Sequence, residues 1–247
     1  MRLRTKVTII ISILLIALGF GTVFSRRMQN KPVQNKPPKF DTRSKTNALE
    51  VTNIEIRNDA GFVNVTLKNV STRNINGIQL ESNNGSVRVE FLDVDEPDRQ
   101  RLLPGQTFEQ MFPLTNPSEP FQISVLAVTF DDKSNDGDAQ SVKEMLNARR
   151  GFTKEMKRLK PLLEAALDSP EGDSPAILDK LKSQVEALPL EKEGDFAFRV
   201  GQTSARQDFL YYVQFLMERQ SATGRVQIRR ALAQAKGRWD KRIDYDK

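Results

Sequence analysis

The chain of 247 residues contains no cysteine and no histidine, and its formal net charge is +6. This excludes a disulfide framework and a thiolate nucleophile or metal site, and it removes the commonest general base and metal ligand near neutral pH. The charge is divided: residues 1–46 carry ten basic residues against Asp41, residues 47–139 seven against fifteen acidic, and residues 140–247 twenty-one against sixteen. Such asymmetry marks separate modules.

Val7–Phe24 (VTIIISILLIALGFGTVF) is uncharged and lies between Arg2, Arg4 and Lys6 on one side and Arg26 and Arg27 on the other. As a helix it would rise about 27 Å, enough to cross the hydrocarbon layer of a bilayer. Residues 1–24 are therefore expected to be a signal anchor, a single transmembrane helix that makes the membrane a partner. Cleavage at Ala17-Leu-Gly19 or Gly19-Phe-Gly21, giving a secreted protein, is the alternative. The apolar run continues past those sites to Val23 and Phe24, which favours the anchor. The basic start places the carboxy-terminal bulk outside the cytoplasm, although the downstream flank is basic too, so the reverse orientation is the competing reading. Residues 25–46, polar and basic with Pro32, Pro37 and Pro38, read as a disordered tether.

From residue 47 the hydrophobic period becomes two. Leu49, Val51, Ile54 and Ile56 precede a turn at Asn58-Asp-Ala-Gly61, and Val63, Val65 and Leu67 alternate with polar neighbours. Ile75, Ile78 and Leu80, then Val87, Val89 and Phe91, flank Asn83-Asn-Gly85. After the acidic loop that starts at Asp93 come Phe108, Met111 and Phe112, then the apolar run Phe121–Phe130. Residues 47–132 are expected to form an antiparallel β-sandwich. The series Val63, Val65, Leu67, Asn69 and Ser71, followed by Leu103-Pro-Gly-Gln-Thr-Phe108, resembles bacterial extracytoplasmic immunoglobulin-like domains. The resemblance covers residues 48–131. It implies a sandwich and a compartment and transfers no catalytic residue.

Residues 133–247 are expected to be a helical module. Asp132, Ser134, Asp136 and Gly137 have the first spacings of a calcium loop, but Lys143 stands where the bidentate Glu would be needed, which favours an acidic interdomain turn. Ser141-Val-Lys-Glu144 reads as a capping box. The stripe Met145, Phe152, Met156, Leu159, Leu163 and Leu167 predicts an amphipathic helix that Pro161 should kink. Ser174-Pro175 opens a second helix with Ile177, Leu178, Leu181, Val185 and Leu188 inward, ended by Pro189. A third starts near Ser204 and carries Phe209, Tyr211, Tyr212 and Phe215, read as core. A fourth follows Thr223-Gly224, with Val226, Ile228, Leu232, Ala235, Trp239 and Ile243 inward. The fold class is thus α+β: a single N-terminal transmembrane helix, an immunoglobulin-like sandwich and a C-terminal helical bundle.

No catalytic, cofactor-binding or metal residue is assigned, and no cofactor is expected. Glu90, Asp93, Asp95, Glu96 and Asp98 cluster in a polar loop that solvates them rather than raising a pKa. The expected function is a membrane-anchored, extracytoplasmic binding or assembly protein without catalytic activity, with a protein partner and no small-molecule substrate. The alternative is a cytoplasm-facing basic module binding nucleic acid or anionic lipid. It rests on Arg149, Arg150, Lys154, Lys157, Arg158 and Lys160 in the first helix and on Arg225, Arg229, Arg230, Lys236, Arg238, Lys241 and Arg242 in the fourth. Interleaved Glu144, Glu155, Glu218 and Asp240 favour a solvated face of ion pairs, and nucleic acid is not expected.

Overall fold

The computed structural model describes residues 40–247, apart from 58–60, 84, 91–100, 115, 117–118, 171–172, 191–193, 225–226 and 246–247. Among the described residues eight strands form two sheets: β1 (Phe40–Ser44), β2 (Leu49–Arg57), β3 (Phe62–Asn69), β4 (Ile75–Ser82), β5 (Gly85–Glu90), β6 (Thr107–Pro113), β7 (Phe121–Phe130) and β8 (Asn135–Gly137). Four helices follow: α1 (Ala139–Leu167), α2 (Ala176–Ala187), α3 (Phe196–Thr223) and α4 (Ile228–Tyr245).

One sheet has the order β2-β3-β6; the other is β1-β7-β4-β5, with β8 also on β7. The alternation in β3 buries Val63, Val65 and Leu67, which share a core with Phe112 of β6, Ile78 and Leu80 of β4, and Phe121, Ile123 and Val125 of β7. The segments Val63–Ser71 and Leu103–Phe108 meet. Asn69 is buried; its side-chain amide donates to the carbonyls of Arg73 (2.8 Å) and Leu102 (2.7 Å), and its oxygen accepts from the Ser71 hydroxyl (2.7 Å). The Gly105 N–H, in a turn with φ 79°, donates to the Asn69 carbonyl at 2.8 Å. A buried asparagine thus ties the β3–β4 turn to the Pro104-Gly105 turn, so every polar atom it takes out of water is repaid.

The expected fold class is corrected in two respects. No helix among the described residues is long and apolar enough to cross a membrane, and the span expected at Val7–Phe24 lies outside them. At 29 and 28 residues α1 and α3 have the length, but α1 carries basic residues along its exposed side. Membrane, single-pass and signal-anchor descriptions therefore have no counterpart in what is described, which is α+β with two sheets and four helices. Second, the sandwich is not wholly antiparallel: Phe40–Ser44, read as the end of a tether, is a strand that pairs in parallel with Phe121–Val125. The segment has little apolar content to mark it, and backbone hydrogen bonds to β7 hold it. The sandwich and the helices are joined. Ala127 of β7 shares a buried cluster with Val142 and Met145 of α1. The Arg149 guanidinium reaches into the sheet, donating to the Asn76 side-chain oxygen (3.0 Å) and the Thr129 hydroxyl (2.7 Å).

Helix boundaries also differ from expectation. The cap of α1 is Asp138, whose carboxylate accepts from the Ser141 N–H at 3.0 Å, so Ser141 sits inside the first turn rather than capping it. Pro161 leaves α1 uninterrupted, and it lies on the exposed side of the helix. Helix α3 begins eight residues before Ser204, capped by Asp195. Gly201 weakens the local helical signal there, and tertiary packing overrides it. In α2, Ile177, Leu178, Leu181 and Val185 are buried as the periodicity requires, and in α4 Ile228, Leu232, Ala235 and Ile243 are. Gly224, left-handed at φ 63°, ends α3.

Helices α1 and α3 run parallel, since their contacts advance together: Gly151 lies against Phe198, Glu155 against Arg206, Met156 with Ala205. At the crossing a Cβ on Gly151 would lie 2.0 Å from the Phe198 carbonyl oxygen, and one on Gly201 1.9 Å from that of Ala148. Neither backbone carbonyl can turn aside as a flexible side chain would. Gly151→Ala and Gly201→Ala are each expected to lower stability by more than about 2 kcal/mol through this overpacking. Gly237→Ala, whose Cβ meets nothing within 4 Å, is expected to raise it by up to about 1 kcal/mol. Next to the crossing, Gln202 is 1% exposed, and neither polar atom of its side chain has a hydrogen-bond partner among the described residues. Gln202→Met should therefore stabilise the fold, by about 1 kcal/mol. Urea titrations of the four variants check all of these values.

Candidate interaction groove

The helical module places an aromatic groove where α1, α3 and α4 meet. Phe152 and Met156 come from α1, Ala205, Asp208, Phe209 and Tyr212 from α3, and Ala235, Arg238 and Trp239 from α4. Buried Ala205 and Ala235 leave the space between the helices that larger residues would fill. The Phe209 and Trp239 rings meet edge to face, with centroids 4.7 Å apart, a favoured aromatic arrangement. The Tyr212 hydroxyl donates to the Ala231 carbonyl at 2.9 Å, fixing that ring against α4. Two guanidinium groups stand over the walls: Arg238 is 5.3 Å from the centre of the Tyr212 ring and Arg242 5.0 Å from that of Phe152. The groove encloses about 130 Å³.

A second cleft, of about 280 Å³ and more open, lies beside the start of α3 and is lined by Asn147, Arg150, Lys154, Gly194, Asp195 and Phe198. Its chemistry is already satisfied. The Asp195 carboxylate caps α3, accepting from the Phe198 N–H at 2.9 Å and from the Asn147 amide. That backbone bond first, and the Asn147 amide after it, hold the Asp195 carboxyl below its usual range despite some desolvation.

The four aromatics read as core in α3 divide. Phe209 is buried, Tyr212 half-buried in the groove wall, and Tyr211 and Phe215 point outward. Helical spacing identified the stripe but not which rings would be covered, since that depends on where the other helices lie against α3. Trp239, expected inward, is half-buried as the groove's far wall.

The loop with calcium-like spacing is the β7–β8 turn, and its carboxylates serve separate partners. Asp132 accepts from the Ser134 hydroxyl and from its N–H at 2.9 Å. Asp136 accepts from the Thr46 hydroxyl at 2.6 Å and the Asn47 N–H at 3.1 Å, binding the β1–β2 turn. Asp138 caps α1. Among the described residues no three acidic, His or Cys side chains are grouped to hold a metal ion. Asp93, Asp95, Glu96 and Asp98, like Arg225 and Val226, lie outside the described residues.

Many of the basic residues proposed for an anionic surface are committed elsewhere. Arg149 enters the sheet. Arg158 (2.8 Å) and Arg206 (2.9 Å) both bond Glu155, which is fully buried, and Arg158 reaches the Pro189 carbonyl at 2.9 Å as well. Lys160 and Lys236 share Glu164 and Asp240, and Arg229 donates to the Ser169 carbonyl. The Asp240 carboxyl is held low, first by the bond from Lys160 and then by that from Lys236.

Compared with known proteins, the chain matches no protein-family model, no curated protein and no solved structure.

The Asp138 cap generates a pH prediction. Its carboxyl is depressed below 3.8, chiefly by the Ser141 N–H and hydroxyl and then by Lys45. A group whose pKa is lower folded than unfolded contributes stability above its unfolded value and loses it as pH falls through the folded one. Stability should therefore drop on acidification below about pH 4. Asp138→Asn, which keeps the cap but cannot ionise, should narrow the difference in urea midpoint between pH 7 and pH 3.

Proposed function

We propose that the described domain is a non-catalytic binding or assembly module, whose groove between α1, α3 and α4 receives an apolar side chain from a protein partner. The observation that carries this reading is the groove itself. Its walls are Phe152, Met156, Phe209, Tyr212 and Trp239, and its volume of about 130 Å³ lies well below the roughly 300–1,000 Å³ of small-molecule sites. A cavity of that size and lining suits one anchoring side chain. One guanidinium, that of Arg238, and one carboxylate, that of Asp208, stand in the lining, and a second guanidinium, that of Arg242, lies over the Phe152 ring next to it, so positive groups outnumber negative ones there. The occupant is accordingly an aromatic or long aliphatic residue with carboxylates beside it in sequence.

The carboxylates support the same view. Among the described residues, the carboxyls whose titration departs from the ordinary value, those of Asp132, Asp138, Asp195 and Asp240, are all held low, and in each case the cause is a turn, a helix cap or a lysine pair. A general acid or base is instead tuned toward the working pH. The reading as a nucleic-acid or anionic-lipid binder draws less support, because Arg149, Arg158, Lys160, Arg229 and Lys236 are engaged within the fold.

Trp239 is the sole tryptophan of the chain, so its emission reports the groove directly. Short peptides with Phe or Leu flanked by Asp, titrated into the full chain, are expected to give a saturable change in that emission. Lysine-flanked versions should give at least tenfold weaker binding, and Ala235→Leu, which fills the space between the helices, should abolish the response. Absence of a saturable change with every acidic peptide, or an unaltered one in Ala235→Leu, overturns the proposal.

A further inference from the structure

Among the described residues the two large cores share no side chain. One fills the sandwich, with Leu67, Ile78, Leu80, Phe112 and Ile123 among its members. The other fills the bundle, with Leu159, Leu163, Leu181, Val213 and Leu232. Two such cores joined only by a loop would open independently of each other. Here the connection is a helix that takes part in both. The first part of α1 lies on the sheet, where Val142 and Met145 bury against Ala127. Its later turns carry Leu159 and Leu163 into the bundle, and the helix is continuous from Ala139 to Leu167.

The apolar seam of Ala127, Val142 and Met145 is small beside either core, so the polar bonds across it carry weight. Arg149 makes two of them, donating to the Thr129 hydroxyl at 2.7 Å and the Asn76 side-chain oxygen at 3.0 Å. A charged donor roughly doubles the strength of such a bond. The sheet does not depend on these bonds for its own polar balance. The Thr129 hydroxyl also donates to the Asn76 side-chain oxygen at 2.7 Å, and the Asn76 amide donates to the Phe130 carbonyl at 2.9 Å. With the guanidinium removed, both side chains would keep a partner. Arg149 thus serves the junction rather than the sandwich. At the start of the helix Lys45 meets Asp138 at 3.3 Å, but the lysine is largely exposed, and water weakens such a pair.

We propose that Arg149, by fixing the shared helix to the sheet, makes the sandwich and the bundle open as one cooperative unit. Phe152 of the groove lies three residues beyond Arg149 on α1. An occupant that stabilises the groove therefore also slows opening of the sheet, through this junction. That consequence rests on the groove reading, whereas the coupling itself does not.

Native-state hydrogen exchange of the full chain at increasing urea, read by mass spectrometry, measures the coupling without a ligand. In the wild type the slowest amides of β3, β7 and α3 are expected to exchange through one opening. They should share one opening constant and one urea dependence. In Arg149→Met, which keeps an apolar stem but no guanidinium, the strands and α3 should separate by about tenfold or more in opening constant. Arg150→Met is the control: Arg150 is exposed and bonds Asn147 of its own helix at 3.0 Å, so its loss should leave a single opening. Two openings already present in the wild type overturn the proposal. A single opening retained in Arg149→Met, or an equal separation in Arg150→Met, overturns it too. If Arg149→Met does not fold, Arg149→Lys, which keeps the charge but not the forked donors, takes its place with the same two outcomes.

Discussion

The helical half depends on how closely α1 approaches α3. Where Gly151 and Gly201 meet the opposing backbone, each carbonyl occupies the space a Cβ would need. Two helices this close have no room for side chains between them at that level, so larger residues are pushed to either side. One side receives Glu155 with Arg158 and Arg206; the other receives Phe152, Met156, Phe209 and Trp239. The buried ion group and the aromatic groove are thus two consequences of one contact. Glu155 gains no evident stability from burial in itself, since desolvation offsets much of the Coulomb attraction. Its two arginines also reach the carbonyls of Leu188 and Pro189, so it sets where α2 ends and the chain turns back toward α3.

The same helix fixes the bundle to the sandwich. Arg149 places its guanidinium among Asn76, Thr129 and the backbone at Gly77, where a Cβ would lie 2.4 Å from a guanidinium nitrogen. A side chain at 77 would have to displace that guanidinium and the Thr129 hydroxyl from their bonds. Asn76 in turn donates to the Phe130 carbonyl at 2.9 Å, so every group around the cation has an assigned bond. A partly satisfied network at this depth would cost more than an apolar seam. With Val142 and Met145 packed beside it, α1 leaves the sheet in one direction, and that direction carries through the glycine crossing to the groove.

Much of this was legible in the sequence, and the parts that were not have physical causes. Period-two alternation located β3 through Val63, Val65 and Leu67, and a continuous apolar run located β7, which is covered on both faces from Ala127 to Phe130; period 3.6 located the inward faces of α2 and α4. Phe40–Ser44 was missed because a strand held by backbone bonds alone leaves no pattern in its side chains. The start of α3 was missed because Gly201 signals a weak helix locally while serving a close contact with Ala148 of α1, distant in the chain. Asn69-Val-Ser71 and Leu103-Pro-Gly105 were visible as motifs, but not as one hydrogen-bonded unit, since their joining depends on long-range pairing. The groove was the least legible feature. Phe209, Tyr212 and Trp239 stood out as aromatics, yet whether a ring is core or wall depends on which neighbour covers it.

The charge of the helical segment illustrates the same limit. A count of twenty-one basic residues against sixteen acidic reads as an electropositive module, but a count does not say where a cation ends. Arg149 terminates inside the sheet, Arg158 and Arg206 on one buried carboxylate, and Arg229 on a helix-end carbonyl. Lys160 and Lys236 form a shared cluster with Glu164 and Asp240 that spans α1 and α4. Used this way, the excess of arginine is a means of terminating and joining helices: a planar group with five donors can satisfy several carbonyls at once where a lysine could not. What α3 leaves toward solvent is then defined by rings rather than by net charge.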